Sequence, residues 1–320
     1  MTKNLFAALL GLLLLAGCAN DRVEFTHQEP DQGRPSEIVV STPDASPPDG
    51  SSPGAEDTLE VIPLDPVYDY ETEEQYVDNH GQQIYGVLYR PVGAEGPLPA
   101  VIFSHGYGGS NSTGAPYAAE LAQRGMLVYC FDFRGGSNSS RSDGSPLDMT
   151  IFTEQSDVEA VLAWFHSLDE VDPDRIVLMG TSQGGMVSAM TGAEHPEEIR
   201  GLVLLYPAFC IPDNARDRFP TQADIPDSTS FFSWLTVGRP YVEAVWDYDV
   251  YEAISTYESD VLILHGDQDR IVDLSYSQRA LEVYPSAQLE VIAGAGHGFS
   301  GSSFELAMEY IVAYLRTQLN

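Results

Sequence analysis

Arg175-Ile176-Val177-Leu178-Met179-Gly180-Thr181-Ser182-Gln183-Gly184-Gly185 decides the fold of this chain. Its first five residues form a short apolar run of strand length. Its last two open a stretch, Gly184–Glu194, that reads as a helix. A strand that becomes a helix within so few residues needs a tight turn, and glycines at 180, 184 and 185 let neighbouring backbone come close. Ser182 then sits at the apex of the turn, at the carboxyl end of a sheet and above a helix N-terminus, where developing negative charge is favoured. Roughly one chain in ten of this length carries Gly-x-Ser-x-Gly by chance. The weight therefore rests on the strand before the serine and the helix after it.

Outward from this segment the chain alternates. Strand-like apolar runs occur at Ala100–Ser104, Leu127–Phe131, Arg175–Met179, Gly201–Tyr206, Val261–His265 and Gln288–Ile292. Helix-like stretches lie between several of them, at Ala115–Arg124, Glu154–Leu168, Gly184–Glu194, Leu274–Val283 and Phe304–Leu319. Short continuous apolar strands alternating with amphipathic helices predict an α/β fold with a mostly parallel central sheet and helices on both faces. Glu73–Asp78 and Gln82–Arg90 flank Asn79-His80-Gly81, a hairpin signal. Residues 208–251 break the rhythm: they read as long, irregular and rich in aromatics, an insertion or lid.

A serine hydroxyl is a poor nucleophile without a base that is itself held by an acid. Downstream, His265-Gly266-Asp267-Gln268-Asp269-Arg270-Ile271-Val272 ends one strand, and Gly294-Ala295-Gly296-His297-Gly298-Phe299 follows the last. His297 is the candidate base for Ser182, and either Asp267 or Asp269 could orient it. A tetrahedral intermediate also needs preset backbone donors. The Gln183 amide, directly after the serine, is one candidate. The glycine-rich loop Ser104-His105-Gly106-Tyr107-Gly108-Gly109 is the candidate source of the other.

The order Ser, Asp, His resembles that of the α/β-hydrolase superfamily, and the resemblance spans Glu73–Leu319. Within it, these residues are similar to the bacterial cinnamoyl (feruloyl) esterases. The segments that carry the likeness are Ser104-His105-Gly106-Tyr107, Phe131-Asp132-Phe133-Arg134-Gly135, Gly180–Gly185, Val203-Leu204-Leu205-Tyr206-Pro207-Ala208 and Leu262–Asp269. The resemblance implies Ser182 as nucleophile, Asp269 as the acid, with Asp267 capping its loop, and Tyr107 with Gln183 as the oxyanion hole. It implies a lid over 208–251 that closes on an aromatic acyl group, with Tyr241 contacting a ring hydroxyl and Trp234 beside the substrate. It also implies that His105 buttresses its loop. Asp132 is read as holding a strand–loop turn and Cys130 as a buried thiol, with a Cys130–Cys210 disulfide the less favoured alternative. Arg134-Gly135-Gly136-Ser137-Asn138 departs from the family's usual Gly-His-Gly.

The 320 residues hold 48 Asp+Glu against 15 Lys+Arg, a net charge of −33. Such acidity excludes a phosphate-gripping nucleic-acid protein and an electrostatic hold on anionic lipid. Lys3 precedes an apolar run, Leu5–Ala16, too short to span a bilayer, so residues 1–17 read as an export signal. Leu15-Ala16-Gly17-Cys18 resembles the bacterial lipobox, which implies cleavage before Cys18 and lipid on its sulfur. Two or three acyl chains there would anchor the protein stably at the bacterial surface or envelope. Lys3 is the only lysine, so the cleaved chain would have none. Residues 18–72 are expected to be an acidic, Pro/Ser-rich tether; 19–75 alone carry 15 acidic and 2 basic residues. Residues 73–320 are the expected catalytic domain.

The function expected is a serine esterase acting on small-molecule carboxylic esters, hydroxycinnamates among them, through an acyl-serine intermediate. A peptidase of the prolyl-oligopeptidase type shares the turn and the order, but 19–75 is far too short for the propeller those enzymes carry. A non-catalytic binding module on the same fold is the alternative from another class. No ligand cluster suggests a metal and no glycine-rich phosphate loop suggests a nucleotide, so no cofactor is expected. Residues 76–320 hold 33 acidic and 12 basic residues, and this field should disfavour anionic substrates.

Overall fold

The computed structural model describes residues 62–319. The expected signal segment, Cys18 and the tether as far as residue 61 lie outside the described residues. β1 (Tyr70–Asn79) and β2 (Gln82–Pro91) form an antiparallel hairpin, turned by His80 and Gly81 at positive φ. Then follow β3 (Leu98–Ser104), α1 (Ala115–Ala122), β4 (Leu127–Phe131), α2 (Ile151–His166), β5 (Val171–Thr181), α3 (Gln183–Glu194) and β6 (Gly201–Leu205). After a long connection come β9 (Val261–Gly266), α7 (Leu274–Val283), β10 (Ala287–Ile292) and α8 (Ser302–Gln318). Among the described residues these eight strands form one sheet, ordered β1-β2-β4-β3-β5-β6-β9-β10 and parallel from β4 to β10.

Every residue of β3, β4, β6 and β9 is buried, which is why these strands read as unbroken apolar runs. Successive side chains leave opposite faces. Ile176 and Leu178 join the core under α2 and α3, whereas Val177 and Met179 join the core under α1 and α8. Ile62, ahead of β1, is buried in that second core.

α2 begins three residues before the expected Glu154. Thr150 caps it in a reciprocal box with Thr153, and threonine there hides the usual Glu/Gln signal. The reading of 208–251 as irregular is corrected. It contains α4 (Ile211–Arg218), a small hairpin of β7 (Ser228–Phe232) and β8 (Leu235–Gly238), and α5 (Arg239–Trp246), with α6 (Val250–Ile254) at its end. These elements are short and pack on one side only; α4 buries just Pro212 and Ala215. α4 therefore shows no clear apolar period, and the stripe of α5, Tyr241, Val242 and Val245, runs for only two turns.

The chain leaves β3 for β4 on one side and leaves β5 for β6 on the other. β3 and β5 are neighbours, with Ser104 opposite Gly180. The loops at their carboxyl ends diverge and leave a crevice, the position where open α/β sheets take ligands. Among the described residues, no helix is long and apolar enough to cross a membrane.

Candidate active site

Ser182 adopts φ 51°, ψ −119°, a conformation that side-chain-bearing residues rarely take. Close packing holds it there. A Cβ on Gly180 would lie 2.2 Å from the Gly184 carbonyl oxygen, and one on Gly184 would lie 2.3 Å from the Ser104 oxygen. The Ser182 amide donates to the Leu205 carbonyl at 2.9 Å. Its carbonyl accepts from Gly185 at 3.0 Å, from Met186 at 3.2 Å and from Ala208 at 2.9 Å. The strained turn is thus tied to α3 and to the chain leaving β6.

His297 Nε2 stands 3.0 Å from Ser182 Oγ, and its Nδ1 stands 2.7 Å from Asp269 Oδ2. With the Nδ1 proton donated to Asp269, Nε2 is free to accept the serine proton. Asp269 Oδ1 accepts the amides of Ile271 at 2.8 Å and Val272 at 3.0 Å. Burial works against ionisation of this carboxyl, but hydrogen bonds from His265, His297, Val272 and Ile271 outweigh it and hold the group far below the usual carboxylate range. Asp267, the competing acid, instead accepts the Gly294 amide at 2.6 Å, which caps the loop carrying His297.

The sequence reading missed two supports of this chain. His265 is fully buried, with Nδ1 2.7 Å from Ser277 Oγ and Nε2 3.0 Å from the Val272 carbonyl and 3.3 Å from Asp269 Oδ2. Tyr206, at φ 39°, sets its ring edge-on to His297 with centroids 4.7 Å apart. The His-Gly pair at 265–266 was a visible signal for the first; nothing in sequence marked the second.

Gln183 is the first residue of α3, so its amide has no helical carbonyl four residues back. The loop with Tyr107 lies over Ser182: a Cβ on Gly106 would meet Ser182 Cβ at 3.1 Å. His105 braces this loop, its Nδ1 donating to the Gly106 carbonyl at 2.8 Å and its Nε2 accepting the Phe133 amide at 3.1 Å. Asp132 accepts the Asn111 and Arg141 amides at 2.7 and 2.8 Å and so holds its own turn.

The side chains of both candidate oxyanion residues reach the segment between β6 and β9. The Tyr107 hydroxyl donates to the Leu235 carbonyl at 3.2 Å. The Tyr241 hydroxyl donates to Gln183 Oε1 at 2.6 Å, and Gln183 Nε2 donates to Glu154 Oε2 at 2.7 Å. Burial pushes the Glu154 carboxyl well above its ordinary range, against the Gln183 hydrogen bond and with help from Asp157. Burial likewise pushes the Tyr241 phenol well up.

Ser182 lies where two cavities meet. The larger, about 420 Å³, is lined by Tyr107, Gln183, Phe231 and Tyr241 among others. The smaller, about 220 Å³, is lined by Gly106, Tyr206, Trp234 and His297. Trp234 is exposed and stacks on Phe232 at 4.6 Å. Cys210 is a buried free thiol in the wall of the larger cavity, pushed up to about 11 by burial, and Cys130 is buried and free on β4. Among the described residues, no group of three or more His, Cys, Asp or Glu could hold a metal.

The family model for the α/β hydrolase fold matches residues 99–236. The chain is 25% identical over 265 residues to RutD of Caulobacter sp. (strain K31), covering 71% of this chain and 95% of RutD. It is 32% identical over 109 residues to the quorum-quenching protein AidA of Acinetobacter baumannii, covering 34% of this chain and 35% of AidA. Est1E of Butyrivibrio proteoclasticus, solved with ferulic acid bound, superposes with a TM-score of 0.67 at 26% identity, covering 77% of this chain and 99% of that one. The architecture is that of the α/β hydrolases.

Proposed function

We infer that this chain, an α/β hydrolase by fold, is a serine esterase in which Ser182 is the nucleophile, His297 the base and Asp269 the acid that orients it. The observation that carries this reading is the unbroken contact from Asp269 through His297 to Ser182 Oγ, at 2.7 and 3.0 Å. Ser182 Oγ attacks the ester carbonyl while its proton passes to His297 Nε2. The amides of Gln183 and Tyr107 receive the oxyanion; losing one such donor costs about 3–4 kcal/mol in comparable sites. His297 then gives its proton to the departing alkoxide, and a water repeats the sequence on the acyl-serine.

The two cavities divide the substrate. The leaving alcohol must lie against the group that protonates it, and His297 lines the smaller cavity. The acyl group therefore takes the larger one, under Phe231 and Tyr241. The likeness to Est1E supports an aromatic acyl group of the hydroxycinnamate type. Export and attachment through lipid on Cys18 complete the reading, on the strength of residues 15–18.

Hydrolysis of p-nitrophenyl esters and of methyl hydroxycinnamates by the purified protein and by Ser182→Ala tests the chemistry. Equal hydrolysis by the two proteins would overturn the assignment. Mass spectrometry of the membrane-extracted protein tests the anchor: a diacylglycerol mass on an N-terminal Cys18 is expected, and an unmodified Cys18 would remove it.

A further inference from the structure

α4 turns one face to the larger cavity. Ile211, Asn214, Ala215 and Arg218 all line it, and their spacing of three, four and seven residues is that of a single helical stripe. The stripe starts beside the serine, since Ala208, just ahead of α4, donates its amide to the Ser182 carbonyl. It ends at Arg218, in the last turn. Seven residues at the helical rise set Arg218 about 10 Å beyond Ile211 along the axis.

Among the described residues, Arg218 is the one basic residue lining this cavity. Acidic partners are plentiful in a chain with 48 Asp+Glu and 15 Lys+Arg. Seven of the described arginines have a carboxylate within 4.0 Å, and Arg216, two residues earlier, is held by Asp213 and the Trp246 carbonyl. Arg218 has no such partner among the described residues, although Asp217 beside it also lines the cavity. Two aromatic rings steady it instead: its guanidinium lies 5.2 Å from the Phe231 centroid and 5.7 Å from that of Phe219. Its charge is felt inside the cavity, where it eases ionisation of the Tyr107 phenol against the larger opposing effect of burial.

We propose that Arg218 is an anion-binding subsite at the far, solvent-exposed end of the acyl cavity, and that it favours an ester whose acyl group carries a terminal carboxylate, a hemiester of a dicarboxylic acid, over a neutral ester of the same length. The proposal rests on the esterase reading above. A carboxylate meets the guanidinium fork through paired, charge-assisted hydrogen bonds. A neutral chain of equal length gains only the burial of its methylenes. The acidic field of the domain opposes any anion at long range, but it is screened beyond about 8–10 Å, whereas Arg218 acts at contact.

The test compares kcat/KM of the full chain for p-nitrophenyl hydrogen suberate against p-nitrophenyl octanoate, and for hydrogen succinate against butyrate. The suberate-to-octanoate ratio is expected to fall about tenfold in Arg218→Gln, mainly through KM, and less in Arg218→Lys. The succinate-to-butyrate ratio is expected to move less than about twofold, because the short chain cannot reach the end of α4. Ser182-dependent turnover with an unchanged suberate ratio in Arg218→Gln, or with equal shifts in both pairs, would overturn the subsite alone. No Ser182-dependent turnover of any of the four esters would overturn the esterase reading and the subsite with it.

Discussion

The Tyr241 hydroxyl, on α5, donates to Gln183 Oε1 at 2.6 Å, and Gln183 is the residue directly after Ser182. One hydrogen bond thus joins the segment that covers the cavity to the residue proposed to receive the oxyanion. Gln183 has its other end on Glu154, so its side chain is fixed from two sides before any substrate arrives.

Tyr241→Phe removes the clamp without changing the ring. It leaves Gln183 Oε1 buried and unpaired, which should cost about 1–2 kcal/mol of stability. If the clamp also positions the Gln183 amide, kcat should fall about three- to tenfold with little change in KM. Urea unfolding alongside steady-state kinetics separates the two effects. A stability loss with unaltered kcat would leave the bond a purely structural one.

Glu154 sets a pH dependence with a definite sign. Its folded carboxyl holds its proton above the ordinary glutamate range, while the unfolded chain releases it. The native state then binds more protons, so this group's contribution to stability falls as pH rises above about 4.3. Asp157, raised by burial against its Arg134 contacts, adds in the same direction. Glu154→Gln keeps an acceptor for Gln183 Nε2 and cannot ionise. Its Tm should decline less than the wild type's between pH 5 and pH 8, read by thermal melts at constant salt. Equal slopes would mean that Glu154 is ionised in the native state.

Asp269 has the opposite sign. Its hydrogen bonds favour the ionised form in the native state. Their stabilisation is complete above the ordinary aspartate range and is lost as pH falls below it, because the unfolded chain takes up protons first. Asp269→Asn should therefore lose less stability than wild type between pH 6 and pH 3. It should also lower kcat about 10³–10⁴-fold, because His297 no longer has a carboxylate to fix its tautomer. A kcat within tenfold of wild type would remove Asp269 from the mechanism.

Ser182 can be probed without substrate. Its φ of 51° is strained for any residue with a Cβ, and such positions cost roughly 1–3 kcal/mol. Ser182→Ala keeps the strain and Ser182→Gly releases it. Both variants should be inactive, with the glycine variant more stable than the alanine variant by about 1 kcal/mol in urea unfolding. An alanine variant of equal or greater stability would show that the turn holds the residue without strain.

Much of this arrangement was legible in the chain itself. β3, β4, β6 and β9 carry covering on both faces, so their residues are apolar without interruption and each strand is visible in sequence. Ser182 and His297 sit in glycine-rich turns at strand ends, where the sequence is punctuated and side-chain roles are few. The elements of 208–251 were not legible, because they are short, α4 buries only Pro212 and Ala215 among charged residues, and β7 is only partly buried along its five residues.

The sequence by itself determined the alternating α/β order, the strained turn at Ser182 and the acidic character of the chain. Local geometry and periodicity encode these within a few residues. Residue type and spacing left Asp267 and Asp269 both open and the resemblance pointed to Asp269; the tertiary structure shows that Asp269 meets His297, since the two acids are two residues apart and differ only in what their carboxyls face. Likewise, Glu154 and Tyr241 are distant in sequence from Ser182, and Arg218 differs from Arg216 only in its surroundings. Such pairings depend on which elements pack together, and burial and partners of that kind have no signature along the chain.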